Sequence, residues 1–350
     1  MRKIKVAHFL RLGAYSGAEN VAIQIIKGTN DITDAVYISP SGSIERYLAP
    51  LGIRHYSLPN TSIRQIKKAI TAVAPDIIHA HDYYMSVCVA MVANNIPIIS
   101  HLHNNPPWIK KFCFKSLAYC CAIHKFDQIL CVSNSVIREY IFQEKIGNKA
   151  VVVGNPINVS DIRNKGCYDA NIEKLYDIVF LGRLSTPKNP NRFLDVITEV
   201  KKEKDDIKAV MIGDGELRGE IETQLKIKNL DKNVILTGFL KNPYFVLQQA
   251  RVLCITSDWE GFGLAAAEAL SFGIPVICTN VGGLPEIVNS ACGVVCKTKK
   301  EMVSALNILL GDNYQLERKV VGAMQRAEEL DNYQDYMNNL KGLYKSLCKI

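Results

Sequence analysis

The chain has 350 residues, 48% hydrophobic and 22% charged, which suits two domain cores and excludes collagen-like, disordered and low-complexity proteins. No window holds about 18 uninterrupted apolar residues, so no spanning helix is expected. The net charge of +8 is one-sided: residues 1–170 carry 19 Lys and Arg against 11 Asp and Glu, whereas residues 171–350 carry 23 of each.

All seven histidines also lie in the first half. A basic half fits an anionic membrane surface, an anionic ligand or nucleic acid. The N-terminal MRKIKVAHFLRLG starts basic, but its apolar stretch is short, is broken by His8 and Arg11, and lacks a small-residue cleavage site. It reads as a first buried strand rather than a signal peptide. The 11 cysteines are scattered through apolar runs with no C-x-x-C pair, as expected of reduced, core-filling thiols in a cytosolic protein.

Short β-branched runs fall at 4–10, 34–39, 76–81, 97–103, 128–134 and 150–157, then at 177–184, 207–213, 234–239, 252–257, 275–282 and 293–297. Most are continuous rather than alternating, the pattern of parallel strands covered by helices on both faces. Strand and helix alternate, which predicts right-handed β-α-β units. The polar stretch 158–176 interrupts this rhythm. The predicted organisation is therefore α/β, with two doubly wound, Rossmann-like domains at 1–165 and 170–330 facing a central cleft. Tyr333, Tyr336, Leu340, Leu343, Tyr344 and Leu347 recur at helical spacing and predict a final helix over 331–350.

Along the chain, RLGAYSGAENVAIQII (11–26) follows the first strand as a β-α turn, in which Gly17 permits close approach of a ligand to backbone. HAH (79–81) and HLH (101–103) end two strands, so alternate residues share a face. No acidic cluster accompanies them at a recognised ligand spacing, and we expect no metal there. His101 is expected on the cleft floor as a hydrogen-bonding group, and His79 and His81 are expected to be structural. In NNPPWIKKFCFKSLAYCC (104–121), Trp108, Ile109, Phe112, Phe114 and Leu117 interleave with Lys110, Lys111 and Lys115. This is either a membrane-surface element or a packed helix with a Lys-rich outer face.

In FLGRLSTPKNP (180–190), Arg183 and Lys188 stand at a strand-to-helix junction, as diphosphate ligands or as solvated cations. VMIGDGELRGEIE (210–222) lacks the dinucleotide G-x-G-x-x-G spacing. The most informative segment is SDWEGFGLAAAEALSFGIPVICTNVGGLPEIV (257–288). There a glycine-containing loop opens a helix whose N–H groups suit a phosphate, and Glu260 and Glu268 flank it as acceptors for sugar and ribose hydroxyls.

Together these segments resemble the retaining GT-B glycosyltransferases of the group 1, family 4 set, over nearly the whole chain and in order. The resemblance rests on the E-x7-E spacing of Glu260 and Glu268, on Gly182-Arg183-Leu184 with Lys188, on TGF, on GGLPE (282–286), and on SGAE in place of the family's Gly-Gly-x-Glu turn. It implies that Arg183 and Lys188 neutralise a donor diphosphate. It also implies that the amides around Phe262, Gly263 and Leu264 and the Gly17 turn contact phosphates and sugar. Glu268 is implied to bind ribose, Glu260 to lie beside the donor sugar, and His101 to lie near the transferred sugar and acceptor.

The implied reaction moves a sugar from a nucleotide-sugar to a saccharide or lipid-linked saccharide hydroxyl with retention, in bacterial surface polysaccharide synthesis. Uridine diphosphate is the expected carrier. No metal and no cofactor are expected, because fixed cations and a helix start stabilise the departing diphosphate. Nucleic acid is not an expected partner. The expected location is the cytoplasm, with peripheral attachment to the inner leaflet through 104–121. The rival readings are a sugar-nucleotide epimerase of the same fold and a non-catalytic nucleotide-sugar-binding protein. A nicotinamide dehydrogenase is disfavoured by the missing G-x-G-x-x-G after strand one.

Overall fold

Each of the apolar runs becomes a strand in the computed structural model, which describes residues 2–349, with Asn148 described by its backbone alone. The chain divides into two units: unit 1 holds the residues up to Pro156 together with those from Tyr333 onward, and unit 2 spans Ile157–Asn332.

Unit 1 carries β1 (Ile4–Phe9), β2 (Thr33–Pro40), β3 (Arg54–Leu58), β4 (Ile77–His81), β5 (Ile98–Leu102), β6 (Gln128–Cys131) and β7 (Ala150–Val152). They pair in parallel in the order β3-β2-β1-β4-β5-β6-β7. The central strands β4 and β5 are buried throughout, as continuous apolar runs require. β3 was not expected from sequence. It is an edge strand, RHYSL, mostly open to solvent, and so carries no apolar run. The strand order reverses between β1 and β4, which pair with His8 opposite His79. In open α/β sheets, ligands sit outside the carboxyl ends of the strands at such a switch point. The final helix, Tyr333–Cys348, rests on β1 and β4 and buries Tyr336, Met337, Leu340 and Tyr344.

Unit 2 carries β8 (Tyr176–Leu181), β9 (Ala209–Ile212), β10 (Val234–Gly238), β11 (Ala250–Ile255), β12 (Val276–Thr279) and β13 (Gly293–Cys296). Their order is β10-β9-β8-β11-β12-β13, again parallel, with the reversal between β8 and β11. Its core packs Ile178, Phe180, Phe193, Met211, Val252 and Ile277 with their helices. Residues 157–165, expected at the end of the first domain, belong here. The helix Val159–Gly166 packs against helices Tyr244–Leu247 and Leu264–Ser271, and Arg163 Nε donates to the Ser271 carbonyl at 2.8 Å.

The cysteines are free thiols, six of them buried, while Cys121 in unit 1 and Cys167 in unit 2 are exposed. Burial raises the thiols of Cys131, Cys254 and Cys278 well above the ordinary range.

Candidate active site

In unit 2 the chain leaves β8 and β11 through two loops that meet beside the switch point. The first is Gly182–Asn189 and the second is 256–263. Lys188 Nζ donates to Glu260 Oε2, and Ser257 Oγ donates to the same oxygen at 3.3 Å. The pair keeps some solvent access, with side-chain exposures of 28% for Lys188 and 14% for Glu260. The Lys188 loop is held by a second network. Thr256 Oγ1 donates to the carbonyls of Lys188 and Asn189 at 3.2 and 2.9 Å. Asn189 caps helix Pro190–Lys201 by accepting from the Arg192 amide at 3.0 Å. Arg192 in turn pairs with Asp258 at 2.6 Å.

The glycines that follow β11 and β12 fix the second loop. Gly263 is the N-cap of helix Leu264–Ser271 with φ +109°. Gly282 has φ +56°, and a Cβ there would lie 1.6 Å from the Glu260 carbonyl oxygen. A side chain at 282 therefore collides with the backbone that presents Glu260. Phe262 is buried under this turn. The amides of Leu264 and Ala265 come before the first bonds of the helix, which run from Ala266 and Ala267 to the Gly263 carbonyl, and suit a phosphate oxygen.

Glu268 sits one face further along that helix, partly buried, where Tyr244 Oη donates to its Oε1 at 3.0 Å. Burial pushes its carboxyl up to about 7, against the Tyr244 hydrogen bond and the charges of Lys165 and Lys188. Tyr244 was not singled out from sequence. It follows an unremarkable Asn-Pro, and only the fold brings it to Glu268. Arg183 is paired at the surface with Glu216, its Nη2 at 3.0 Å, rather than with Glu260 or Glu268.

In unit 1, Gly17 opens helix Gly17–Gly28 after the β1 turn, and Ser16 Oγ donates to Glu19 Oε2. The turn presses closest at Gly13, where a Cβ would meet the Ser41 carbonyl oxygen at 2.4 Å. Asp82, just after β4, caps helix Tyr83–Val92 by accepting from the Met85 amide at 2.6 Å. Burial raises its carboxyl to about 6.

His101 lies in β5 opposite His81. It has no exposed surface and its ring lies beside those of His79, His81 and His103. His79 Nε2 and His101 Nδ1 are 3.2 Å apart, and His101 Nε2 is buried with no hydrogen-bond partner.

The 104–121 stretch has a buried part and an exposed part. Ile109 is buried in the core, and the half-buried Trp108 packs edge-on against Tyr83. Phe112 and Phe114, 73% and 85% exposed, stand out with Leu117 among exposed Lys111 and Lys115. Lys110 pairs with Glu139 at 3.2 Å. Among the described residues, no helix is long and apolar enough to cross a membrane.

Two parallel sheets, each with glycine-containing loops at its switch point, define a two-domain α/β protein of the GT-B fold. Its chain resembles the solved structure of HepE from Anabaena in complex with UDP-glucose, with a TM-score of 0.82 and 19% identity over 98% of this chain and 100% of that one. Residues 8–161 match the model for Glycosyltransferase Family 4, and residues 169–326 match that for Glycosyl transferases group 1. The chain belongs to the group 1 glycosyltransferases.

Among curated proteins it is 31% identical to an uncharacterized glycosyltransferase of Methanocaldococcus jannaschii over 63% of this chain and 61% of that protein, less than two thirds of the relative's length. It is 26% identical to a Campylobacter jejuni α-1,4-N-acetyl-D-galactosaminyltransferase that acts on a diphospho-undecaprenol-linked saccharide, over 76% of this chain and 74% of that protein.

Proposed function

We propose that the protein is a retaining glycosyltransferase that moves a hexose-type sugar from a UDP-sugar to a hydroxyl of a lipid-linked saccharide in bacterial surface-polysaccharide synthesis. The observation that carries this reading is the meeting of Lys188, Glu260 and Glu268 around one helix start at the β8/β11 switch point. A departing diphosphate gathers negative charge. Lys188, the amides at Gly263 and Leu264, and Arg183 once it leaves Glu216 offer positive charge where that anion develops. Glu260 then exchanges its lysine partner for donor-sugar hydroxyls. Glu268 accepts from ribose hydroxyls in its ionised form. His101 and the Gly17 turn serve the sugar and acceptor side.

In this reading the chemistry needs no metal. The acceptor hydroxyl attacks on the face the nucleotide leaves, and a donor phosphate oxygen takes its proton. The names of the relatives support both halves: HepE holds UDP-glucose, and the Campylobacter enzyme extends an undecaprenol-linked saccharide. The exposed Phe112 and Phe114, with their lysines, suit contact with an anionic leaflet where such an acceptor resides.

The test is a calorimetric and turnover screen of UDP-, GDP- and ADP-sugars, first without metal and then with a chelator, with the product anomer read by NMR. Binding of one UDP-sugar with chelator-resistant turnover and a retained anomer supports the proposal. An inverted product or an absolute metal requirement refutes it.

A further inference from the structure

Five of the seven histidines meet at the carboxyl edge of the unit 1 sheet. His8 comes from β1, His79 and His81 from β4, His101 from β5, and His103 follows β5 directly. Residues two apart on a strand share a face, and the parallel register sets His8 beside His79 and His81 beside His101. His79 and His81 stack with ring centroids 4.3 Å apart, and the rings of His101 and His103, tilted by 34°, have centroids 4.0 Å apart.

Two hydrogen-bonded chains run through them. In one, His8 Nδ1 meets His81 Nε2 at 3.0 Å and His81 Nδ1 meets His103 Nε2 at 2.9 Å. In the other, Tyr344 Oη meets His79 Nδ1 at 2.8 Å and His79 Nε2 meets His101 Nδ1. Both chains end on buried ring nitrogens with no partner, among them His101 Nε2 and His103 Nδ1. Such atoms are rare in folded proteins and call for an explanation.

We propose that His81, His101 and His103 form a binding site for a transition-metal ion of the zinc class, with His81 Nδ1, His101 Nε2 and His103 Nε2 as donors. One ring nitrogen from each of the three lies within 4.8 Å of the others. A tetrahedral ion at ~2.0–2.1 Å from each nitrogen spaces its donors about 3.4 Å apart, so closure requires ring shifts on the order of 1 Å.

The tautomers agree along both chains. If His81 Nδ1 ligates, its Nε2–H donates to His8. If His101 Nε2 ligates, its Nδ1–H donates to His79, whose own N–H donates to Tyr344. Two of the three ligands, His81 and His101, thus have hydrogen-bonded outer partners, as metal-bound imidazoles almost always do, whereas His103 Nδ1 has none. A set of imidazoles without a carboxylate suits zinc, nickel, cobalt or copper rather than magnesium or calcium. His103 keeps part of its surface open and gives the ion a way in, whereas the His8, His79 and His81 grouping is buried throughout. Occupancy ties up His101 Nε2, so the ion acts as an inhibitor of transfer. That consequence rests on the transferase reading; the site itself does not.

The test uses the untagged full-length protein and the metal alone. Titration with Co2+ is expected to show visible absorption from one four-coordinate ion per chain, without thiolate charge-transfer bands, and Zn2+ is expected to displace it. His103→Gln is expected to weaken binding at least 100-fold with an unchanged unfolding transition, and His8→Leu to weaken it roughly 10–100-fold with the stoichiometry kept. If His103→Gln does not fold, His101→Gln decides the same point. The site is refuted by no stoichiometric uptake, by uptake indifferent to these substitutions, or by uptake lost in Cys121→Ser or Cys167→Ser. No sugar nucleotide enters the measurement, so its failure leaves the proposed reaction standing, and failure of the donor screen leaves the metal site standing.

Discussion

The ammonium of Lys188 lies against the carboxylate of Glu260, joining the loop after β8 to the loop after β11. In the proposed reading, a diphosphate and a sugar replace each charge's present partner when the donor binds. Replacing Lys188 by Ala removes a cation aimed at the developing anion. Turnover is expected to fall about 100- to 1,000-fold, the usual loss for one such donor. The pair is partly open to water, so the stability cost is expected to stay near 1–2 kcal/mol. Steady-state rates and urea unfolding of Lys188→Ala check both; a modest loss of rate with a large loss of stability refutes the assignment.

Glu268 gives the donor site a pH dependence of defined sign. Burial raises its folded-state carboxyl to about 7, so the proton is held below that pH and released above it. In the proposed reading ribose hydroxyls donate to the ionised form, so donor affinity is expected to rise as pH climbs through 7. Glu268→Gln should bind more weakly and flatten the profile. Folding has the opposite trend: this raised group favours the folded state at low pH, and that contribution is lost between the ordinary carboxylate range and pH 7. Calorimetry at pH 6 and pH 8 on both proteins reads the binding trend, and thermal unfolding reads the second.

Tyr244→Phe deletes the hydroxyl that donates to Glu268 Oε1. One hydrogen bond to a charged acceptor contributes about 1.5–3 kcal/mol, so the donor Kd is expected to rise roughly 10- to 100-fold. Its pH midpoint should move upward, because a bond that favours the carboxylate is gone. An unshifted midpoint would argue that Tyr244 only packs.

At Gly282 the expected outcome is structural. Alanine there combines a left-handed φ with a clash against the Glu260 carbonyl, and at least about 2 kcal/mol of stability is expected to go. Gly311→Ala is the control, since nothing lies near its added Cβ and its φ is not in the left-handed region. Equal unfolding midpoints for the two variants would contradict the packing described here.

The exposed Phe112 and Phe114 allow a membrane test that does not disturb the core. Changing both to Glu is expected to reduce binding to anionic vesicles at least tenfold, from about 1.5–3 kcal/mol for each buried aromatic. Activity on a short water-soluble acceptor should persist. Vesicle binding unchanged by the double substitution rules this surface out.

The strand runs were legible because buried parallel strands must be continuously apolar; β4 and β5 show it most clearly. β3 escaped because an edge strand buries little, and RHYSL alternates without an apolar core. The helix Val159–Gly166 escaped because its sequence is mostly polar and it buries only Val159, Ile162 and Gly166. Glu260 and Glu268 could be found from their spacing around a helix start. The pairings could not, because Lys188 lies 72 positions from Glu260 and Tyr244 lies 24 from Glu268, and only strand order brings them together. The histidines show the same limit. HAH and HLH each look incomplete as ligand sets, and the sheet register supplies His8 and aligns the two pairs.

The distribution of thiols has a practical outcome. Each unit carries one cysteine exposed to solvent, Cys121 and Cys167, while burial keeps those of the strands protonated and unreactive. The native chain thus brings one attachment point for a spectroscopic probe in each unit, so the response of either unit to a sugar nucleotide can be followed without engineering new residues.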